Sequence, residues 1–116
     1  MDYRCKNSPE AASPDPRPLW TLAVIDSCWQ GPLPPELGNI SELKALYLNS
    51  NKFWGMLPPE LGKLKQLERL HLNSNRFDGE IPKELGQATA LVQLELHDNE
   101  LRCFIRVAAS AFLVMI

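Results

Sequence analysis

Leucines recur along the chain at a spacing of 24 residues, and each recurrence carries the short pattern LxxLxL. The repeat is clearest in residues 43–66 and 67–90, which are identical at 12 of 24 positions. Because apolar and other residues alternate in this pattern, its apolar side chains all face one side of a short β-strand. One such strand cannot bury its own leucines. The spacing therefore predicts stacked units that form a parallel sheet and cover one another's apolar side chains.

The 24-residue spacing continues less regularly on both sides of these two units. It gives further units at 19–42 and 91–114. In the first of these Ser27 stands where asparagine recurs, and the last keeps the pattern only in its first half. We therefore predict three segments: a disordered polar tail at 1–18, about four repeats at 19–105, and an apolar capping segment or truncated continuation at 106–116.

An asparagine follows each regular strand, at Asn51, Asn75 and Asn99. We expect these amides to point inward and bond backbone groups at the turn, as a structural ladder, because a buried amide needs partners. Glycines after the turn suit tight bends. A proline then begins each return segment, and since proline fixes φ and lacks an N–H, only a short helical turn fits there. The predicted fold class is therefore α/β.

The pattern LxxLxLxxNxFxGxLPxELGxL at 43–64 resembles the plant-type leucine-rich repeat. That family occurs in extracellular domains of plant receptor-like kinases and receptor-like proteins. The resemblance implies a right-handed solenoid with short parallel strands on its concave face and short helical or irregular segments on its convex side. It also implies a non-catalytic module of signalling receptors, which binds a protein or peptide through the concave face.

Two other functions remain open from the same resemblance. Polygalacturonase-inhibiting proteins carry these repeats too, so the chain could be an enzyme inhibitor of that kind. It could also be a fragment of a larger leucine-rich-repeat kinase or GTPase.

The variable positions between the leucines are those that would face a partner on the concave side. Side chains of equal phase become lateral neighbours about 4.8 Å apart, so Tyr47, His71 and Glu95 form one row. Tyrosine and arginine are frequent anchors of interfaces. The predicted partner-binding residues are Tyr47, Arg69, His71, Gln93, Glu95 and His97. The alternative is an ordinary solvated face with cross-strand ion pairs.

Two tryptophans occupy different positions of the 24-residue repeat. Trp54 aligns with Asp78 of the next repeat, so we expect it to be exposed on the flank, where it is a second candidate contact. Trp29 aligns with Phe53, so we expect it in the core.

Composition and spacing exclude several kinds of chemistry. A net charge of −2 without a basic stripe gives no reason to expect nucleic acid binding. His71, Glu95, His97 and Asp98 could be considered as metal ligands, but an open curved surface lacks the enclosure that zinc sites have. His71 and Glu95 have no nucleophile beside them. We therefore expect no metal, no cofactor, no catalytic residue and no enzymatic activity.

The first 18 residues lack the apolar segment of a secretory signal. As written, the chain is expected in the cytoplasm, although the family is mostly extracellular or membrane-anchored. Residues 107–116 are apolar but reach only half of the roughly 20 residues that span a bilayer. Membrane contact is therefore expected only if the chain is a truncated receptor. The sequon at Asn39 would be glycosylated only on secretion.

The three cysteines show no regular spacing. Cys28 and Cys103 lie three repeats apart, about 14 Å, which is too far for a disulfide. Cys5 could reach Cys28 only if the N-terminal segment folds back over the first repeat. The sequence therefore predicts mostly free thiols.

Overall fold

The structure, a computed structural model, describes residues 19–102 and 113–115. The predicted tail at 1–18 and most of the segment at 106–116 lie outside these residues. The described part contains nine strands: β1 (Thr21–Ala23), β2 (Gln30–Gly31), β3 (Ala45–Tyr47), β4 (Lys52–Gly55), β5 (Arg69–His71), β6 (Arg76–Glu80), β7 (Gln93–Glu95), β8 (Glu100–Arg102) and β9 (Leu113–Met115). It also contains three 3₁₀ helices: Pro35–Asn39, Pro59–Lys63 and Lys83–Gln87.

The LxL segments form a parallel sheet with the strand order β1-β3-β5-β7-β9. Its register joins residues 24 apart, so that Leu46 lies beside Leu22 and Leu70, and Leu70 beside Leu94. Leu46, Leu70 and Leu94 are fully buried, with no exposed surface. The predicted parallel sheet of stacked repeats is thus confirmed.

The 3₁₀ helices lie on the opposite side of the repeats. Each is preceded by an extended proline, Pro34, Pro58 or Pro82, as expected where proline fixes φ and no N–H is required. The core between the sheet and these helices consists mainly of leucines, with Phe53 and Phe77 stacked at 6.1 Å between ring centroids. The fold is a leucine-rich-repeat solenoid.

A second parallel sheet, ordered β2-β4-β6-β8, runs along one flank and was not predicted. Its register joins residues 22 apart, two fewer than in the other sheet, so successive flank strands are staggered. Trp54 therefore pairs with Arg76 rather than with Asp78, the residue of equal phase. A pattern that is read at one fixed spacing does not reveal this offset.

Two further predictions from the sequence are wrong. Trp29 is 42% exposed rather than buried, because it belongs to the first described repeat and no described repeat precedes it to cover its ring. Cys28 is disulfide-bonded, so the chain does not carry mostly free thiols. Its partner lies outside the described residues, where both other cysteines are located.

The residue before each ladder asparagine has a positive φ. Ser50 has φ 60° and Ser74 has φ 59°, while Asp26 and Asp98 occupy the equivalent place at 55° and 56°. An L-residue in this left-handed region is strained by about 1 kcal/mol or more, and asparagine tolerates it better than serine.

Replacing Ser50 by asparagine is therefore expected to raise the free energy of unfolding by about 0.5 kcal/mol. Urea unfolding followed by circular dichroism measures this change, with an unaltered m-value. Ser41→Asn is the matched control, because Ser41 is exposed and has no positive φ. An equal gain in both variants, or a loss at position 50, contradicts the prediction.

Candidate functional site

Register places most of the predicted partner-binding side chains in two rows across the concave sheet. One row contains Tyr47, His71 and Glu95. The other contains Thr21, Ala45, Arg69 and Gln93. His97, the remaining member of the predicted set, lies two residues beyond the end of β7.

His71 contacts both Tyr47 and Glu95, and the three side chains form a connected unit, here called the concave row. The rings of Tyr47 and His71 meet edge to face, with centroids 4.7 Å apart and an angle of 71°. Nδ1 of His71 lies 2.9 Å from Oε2 of Glu95, and the two side chains are about one-fifth exposed. Because Nδ1–H donates to the carboxylate, Nε2 of a neutral His71 is left as a hydrogen-bond acceptor.

Arg69 is exposed and sits beside this row on β5. Its guanidinium forms no ion pair and no hydrogen bond within the described residues, and Glu95 is paired with His71 instead. An arginine presents five N–H donors in a fixed planar arrangement that suits carboxylates. The Arg69 guanidinium is therefore available to bind an acceptor group, such as a carboxylate, that does not belong to the described residues.

Four buried polar atoms near this surface lack hydrogen-bond partners in the described structure: Asn49 Oδ1, His71 Nε2, Asn73 Oδ1 and His97 Nδ1. Asn49, Asn73 and His97 share one phase of the repeat, immediately after the strands. Buried polar groups are normally bonded to protein or to ordered water, so these four atoms stand out among the described residues.

A depression of about 540 Å³ lies at the β1–β5 end of the concave sheet. It contains three members of the predicted set, Tyr47, Arg69 and His71. It also contains Trp20, Lys44 and Glu68, which sequence reasoning missed. Each of these three residues directly precedes its strand, and they are spaced 24 residues apart. Their common position in the repeat is the sequence feature from which they could have been predicted.

The ladder asparagines bond the backbone between successive repeats. Nδ2 of Asn75 donates to the carbonyl oxygens of Leu48 (2.9 Å), Leu72 (3.1 Å) and Asn73 (3.2 Å), and its Oδ1 accepts from the backbone N–H of Phe53 (3.1 Å). Asn51 and Asn99 repeat this arrangement one step away on either side. The ladder holds the turns that follow the concave strands.

The other singled-out positions lie away from the concave face. Trp54 is 50% exposed on the flank sheet, beside Met56, which is 64% exposed. Asn39 and Ser41 of the sequon are both exposed at the end of the first 3₁₀ helix.

Neither a metal site nor a membrane span is found in the part of the chain that the structure describes. No group of three or more histidine, cysteine, aspartate or glutamate side chains converges there as metal ligands would. None of its helices has the length and apolar character needed to cross a bilayer.

Comparison with known proteins agrees with this fold. The Leucine Rich Repeat family profile matches residues 42–64 and 66–88. No curated protein matches the chain. The described part of the chain is therefore built from leucine-rich repeats.

Its repeats are similar to those of plant receptor-kinase ectodomains. Over 70% of its length the chain is 36% identical to the ectodomain of GASSHO1/SCHENGEN3 from Arabidopsis thaliana, solved with CASPARIAN STRIP INTEGRITY FACTOR 2, with a TM-score of 0.69. The Arabidopsis receptor kinase HAESA, solved with the peptide hormone IDA and the co-receptor SERK1, is 37% identical over 67% of the chain, with a TM-score of 0.65. The ectodomain of SOBIR1, from the same plant, is 36% identical over 69% of the chain, with a TM-score of 0.66.

The chain spans only part of each of these proteins. It covers 10% of the GASSHO1/SCHENGEN3 chain, 13% of the HAESA chain and 44% of the SOBIR1 chain.

Proposed function

We propose that the chain is a non-catalytic recognition module that binds a protein or peptide through its concave face, as part of signalling. The observation that carries this proposal is the concave row, whose aromatic, imidazole and carboxylate groups lie in contact. Beside it stands Arg69, which has no ion-pair partner among the described residues. Solved relatives such as HAESA were crystallised with a peptide hormone, which supports the same class of partner.

The binding residues in this proposal are Tyr47, Arg69, His71, Gln93, Glu95 and His97. Five of them lie on strands of the concave sheet and His97 lies two residues beyond β7, so one extended partner can touch several of them. Interfaces depend mainly on a few such side chains, with tyrosine and arginine over-represented. The asparagine ladder supports this surface from behind and does not itself contact the partner.

Selection from a phage-displayed library of random dodecapeptides tests the proposal. Peptides enriched on the native chain are expected to lose at least tenfold in affinity when Tyr47, His71 and Glu95 are all replaced by alanine, because each truncation of an interface anchor removes about 1 kcal/mol or more. Circular dichroism must show that the triple variant keeps its fold.

Two single variants act as comparators. Trp54→Ala tests the flank as the alternative contact, and Lys63→Ala alters an exposed residue of the second 3₁₀ helix. Both are expected to bind the enriched peptides as the native chain does. Equal affinity of the triple variant, a larger loss for Trp54→Ala, or a library without any binder contradicts the proposal.

A further inference from the structure

The depression on the concave face exists because Ala45 is small. At the same register position the neighbouring strands carry Thr21 and Arg69, and the next one carries Gln93. Alanine places only a methyl group there, and the taller side chains around it form walls. Ala45 lies at the floor of the depression, where the larger side chains around it leave only 2% of its surface exposed.

The walls of the depression are largely apolar and aromatic. Trp20 (43% exposed) and Ile25 (37% exposed) stand on the β1 side, and the Tyr47 and His71 rings stand on the other. Large apolar side chains left this exposed around one concavity are typical of sites that bind another apolar group. A volume of about 540 Å³ admits more than one amino-acid side chain.

The rim of the depression carries a net positive charge. Lys44 and Glu68 have opposite charges on neighbouring strands, and the Lys44 ammonium also lies 5.8 Å from the Trp20 ring centroid. Their charges offset each other, so the charge left over is that of Arg69, which has no ion-pair partner among the described residues. A partner with a carboxylate near its apolar group would complement this rim.

Two of the unpaired buried atoms, Asn49 Oδ1 and His71 Nε2, belong to side chains that line the depression. Asn49 Oδ1 is an acceptor, and His71 Nε2 is an acceptor when the imidazole is neutral. Because both atoms are buried, an occupant of the open depression does not reach them. The occupant is therefore inferred from the apolar walls and from Arg69.

From these features the geometry points to a specific subsite, which rests on the proposed function. The depression over Ala45 binds a large apolar side chain of an extended peptide, and Arg69 binds a carboxylate two residues away in that peptide. In an extended chain the side chains of residues i and i+2 face the same way, about 6.7 Å apart. Ala45 and Arg69 lie on adjacent strands about 4.8 Å apart. The long arginine side chain can bridge the difference between this distance and the spacing of about 6.7 Å in the peptide.

The test uses capped peptides and methyl NMR of the whole chain, labelled at alanine and isoleucine methyl groups. The probes are acetyl-Phe-Gly-Asp-N-methylamide and its reverse, acetyl-Asp-Gly-Phe-N-methylamide, because the direction of the peptide is open. At millimolar concentration at least one of them is expected to shift the methyl signals of both Ala45 and Ile25. Replacing phenylalanine by alanine in that probe should abolish the shifts, and replacing aspartate by asparagine should weaken binding at least threefold.

Two variants of the chain assign the contacts. Ala45→Gln places on the floor the side chain that Gln93 carries at the same register position, and it should abolish the Ile25 shift. In the Arg69→Gln variant, the affinity for the aspartate probe should fall to the affinity for the asparagine probe. The affinity for the asparagine probe itself should be the same as in the native chain. This pattern separates a charge contact from a general loss of structure.

Unshifted methyl signals with both probes, or equal binding to the Ala45→Gln variant, would overturn the subsite. That failure is distinguishable from failure of the proposed function. Library peptides that depend on the concave row would still show that the concave face binds, through residues other than the depression.

Discussion

Replacing Gly62 by alanine is expected to destabilise the chain by about 3 kcal/mol, because the added methyl group has no space. An ideal Cβ at Gly62 would lie 2.1 Å from the backbone oxygen of Glu84 and 2.9 Å from its carbonyl carbon. Both atoms belong to backbone of the next 3₁₀ helix, which cannot rotate away as a side chain can. The two helices must therefore separate, and the leucines between these repeats lose part of their packing.

The measurement is thermal unfolding by circular dichroism, in which Tm should fall by more than about 10 °C. Gly31→Ala is the matched control, because Gly31 has a φ of 108° but no atom within 4 Å of an added Cβ. Gly31→Ala should therefore show only backbone strain, about 1 to 2 kcal/mol. An effect of Gly62→Ala no larger than that of Gly31→Ala would mean that the helices separate easily.

The concave sheet could be predicted from the sequence because its determinants are local and periodic. Alternation within LxxLxL defines the buried face of each strand, and the 24-residue spacing brings Leu46, Leu70 and Leu94 into one column. The same spacing places Tyr47, His71 and Glu95 in one row. This row requires only that the three residues occupy the same position in successive repeats.

The flank sheet and the depression could not be predicted in this way. The flank register joins residues 22 apart rather than 24, and no feature of the 24-residue pattern indicates this offset. The depression depends on the absence of bulk at Ala45 relative to its neighbours, a three-dimensional property that a list of polar candidates ignores. Trp29 was misassigned because equal phase indicates burial only where a preceding repeat covers the position.

Replacing Asn75 by alanine is expected to destabilise the chain by about 3 to 4 kcal/mol, because it removes the partners of several buried groups at once. The Phe53 N–H bonds the Asn75 Oδ1 atom and would be left buried without an acceptor. The amide also donates to three backbone oxygens, two of them in its own turn. Urea unfolding with Asn75→Ala and the native chain measures the difference.

Asn73 provides the control within the same turn. Its Oδ1 has no hydrogen-bond partner in the described structure, so Asn73→Ala should change stability by less than about 1 kcal/mol and can even be stabilising. Asn75→Asp keeps an acceptor for Phe53 but replaces the N–H₂ donors with an oxygen that faces carbonyl oxygens, so it should be at least as damaging as alanine. A mild Asn75→Asp variant would show that the donors are unimportant.

The ladder also predicts which asparagines act together. The carbonyl oxygen of Leu48 accepts from both Asn51 and Asn75, at 3.1 and 2.9 Å. Either single alanine variant leaves this oxygen one partner, whereas the double variant removes both. The double variant should therefore lose about 1 kcal/mol more than the sum of the singles.

Asn51 and Asn99 share no carbonyl oxygen, so their double variant should be additive within about 0.5 kcal/mol. Both pairs are compared in trimethylamine oxide, which stabilises folded states and keeps the weaker variants measurable. If only the Asn51/Asn75 pair shows coupling, adjacent repeats are joined through shared backbone acceptors. Equal coupling in both pairs would instead mean that the coupling does not arise from the shared carbonyl oxygen.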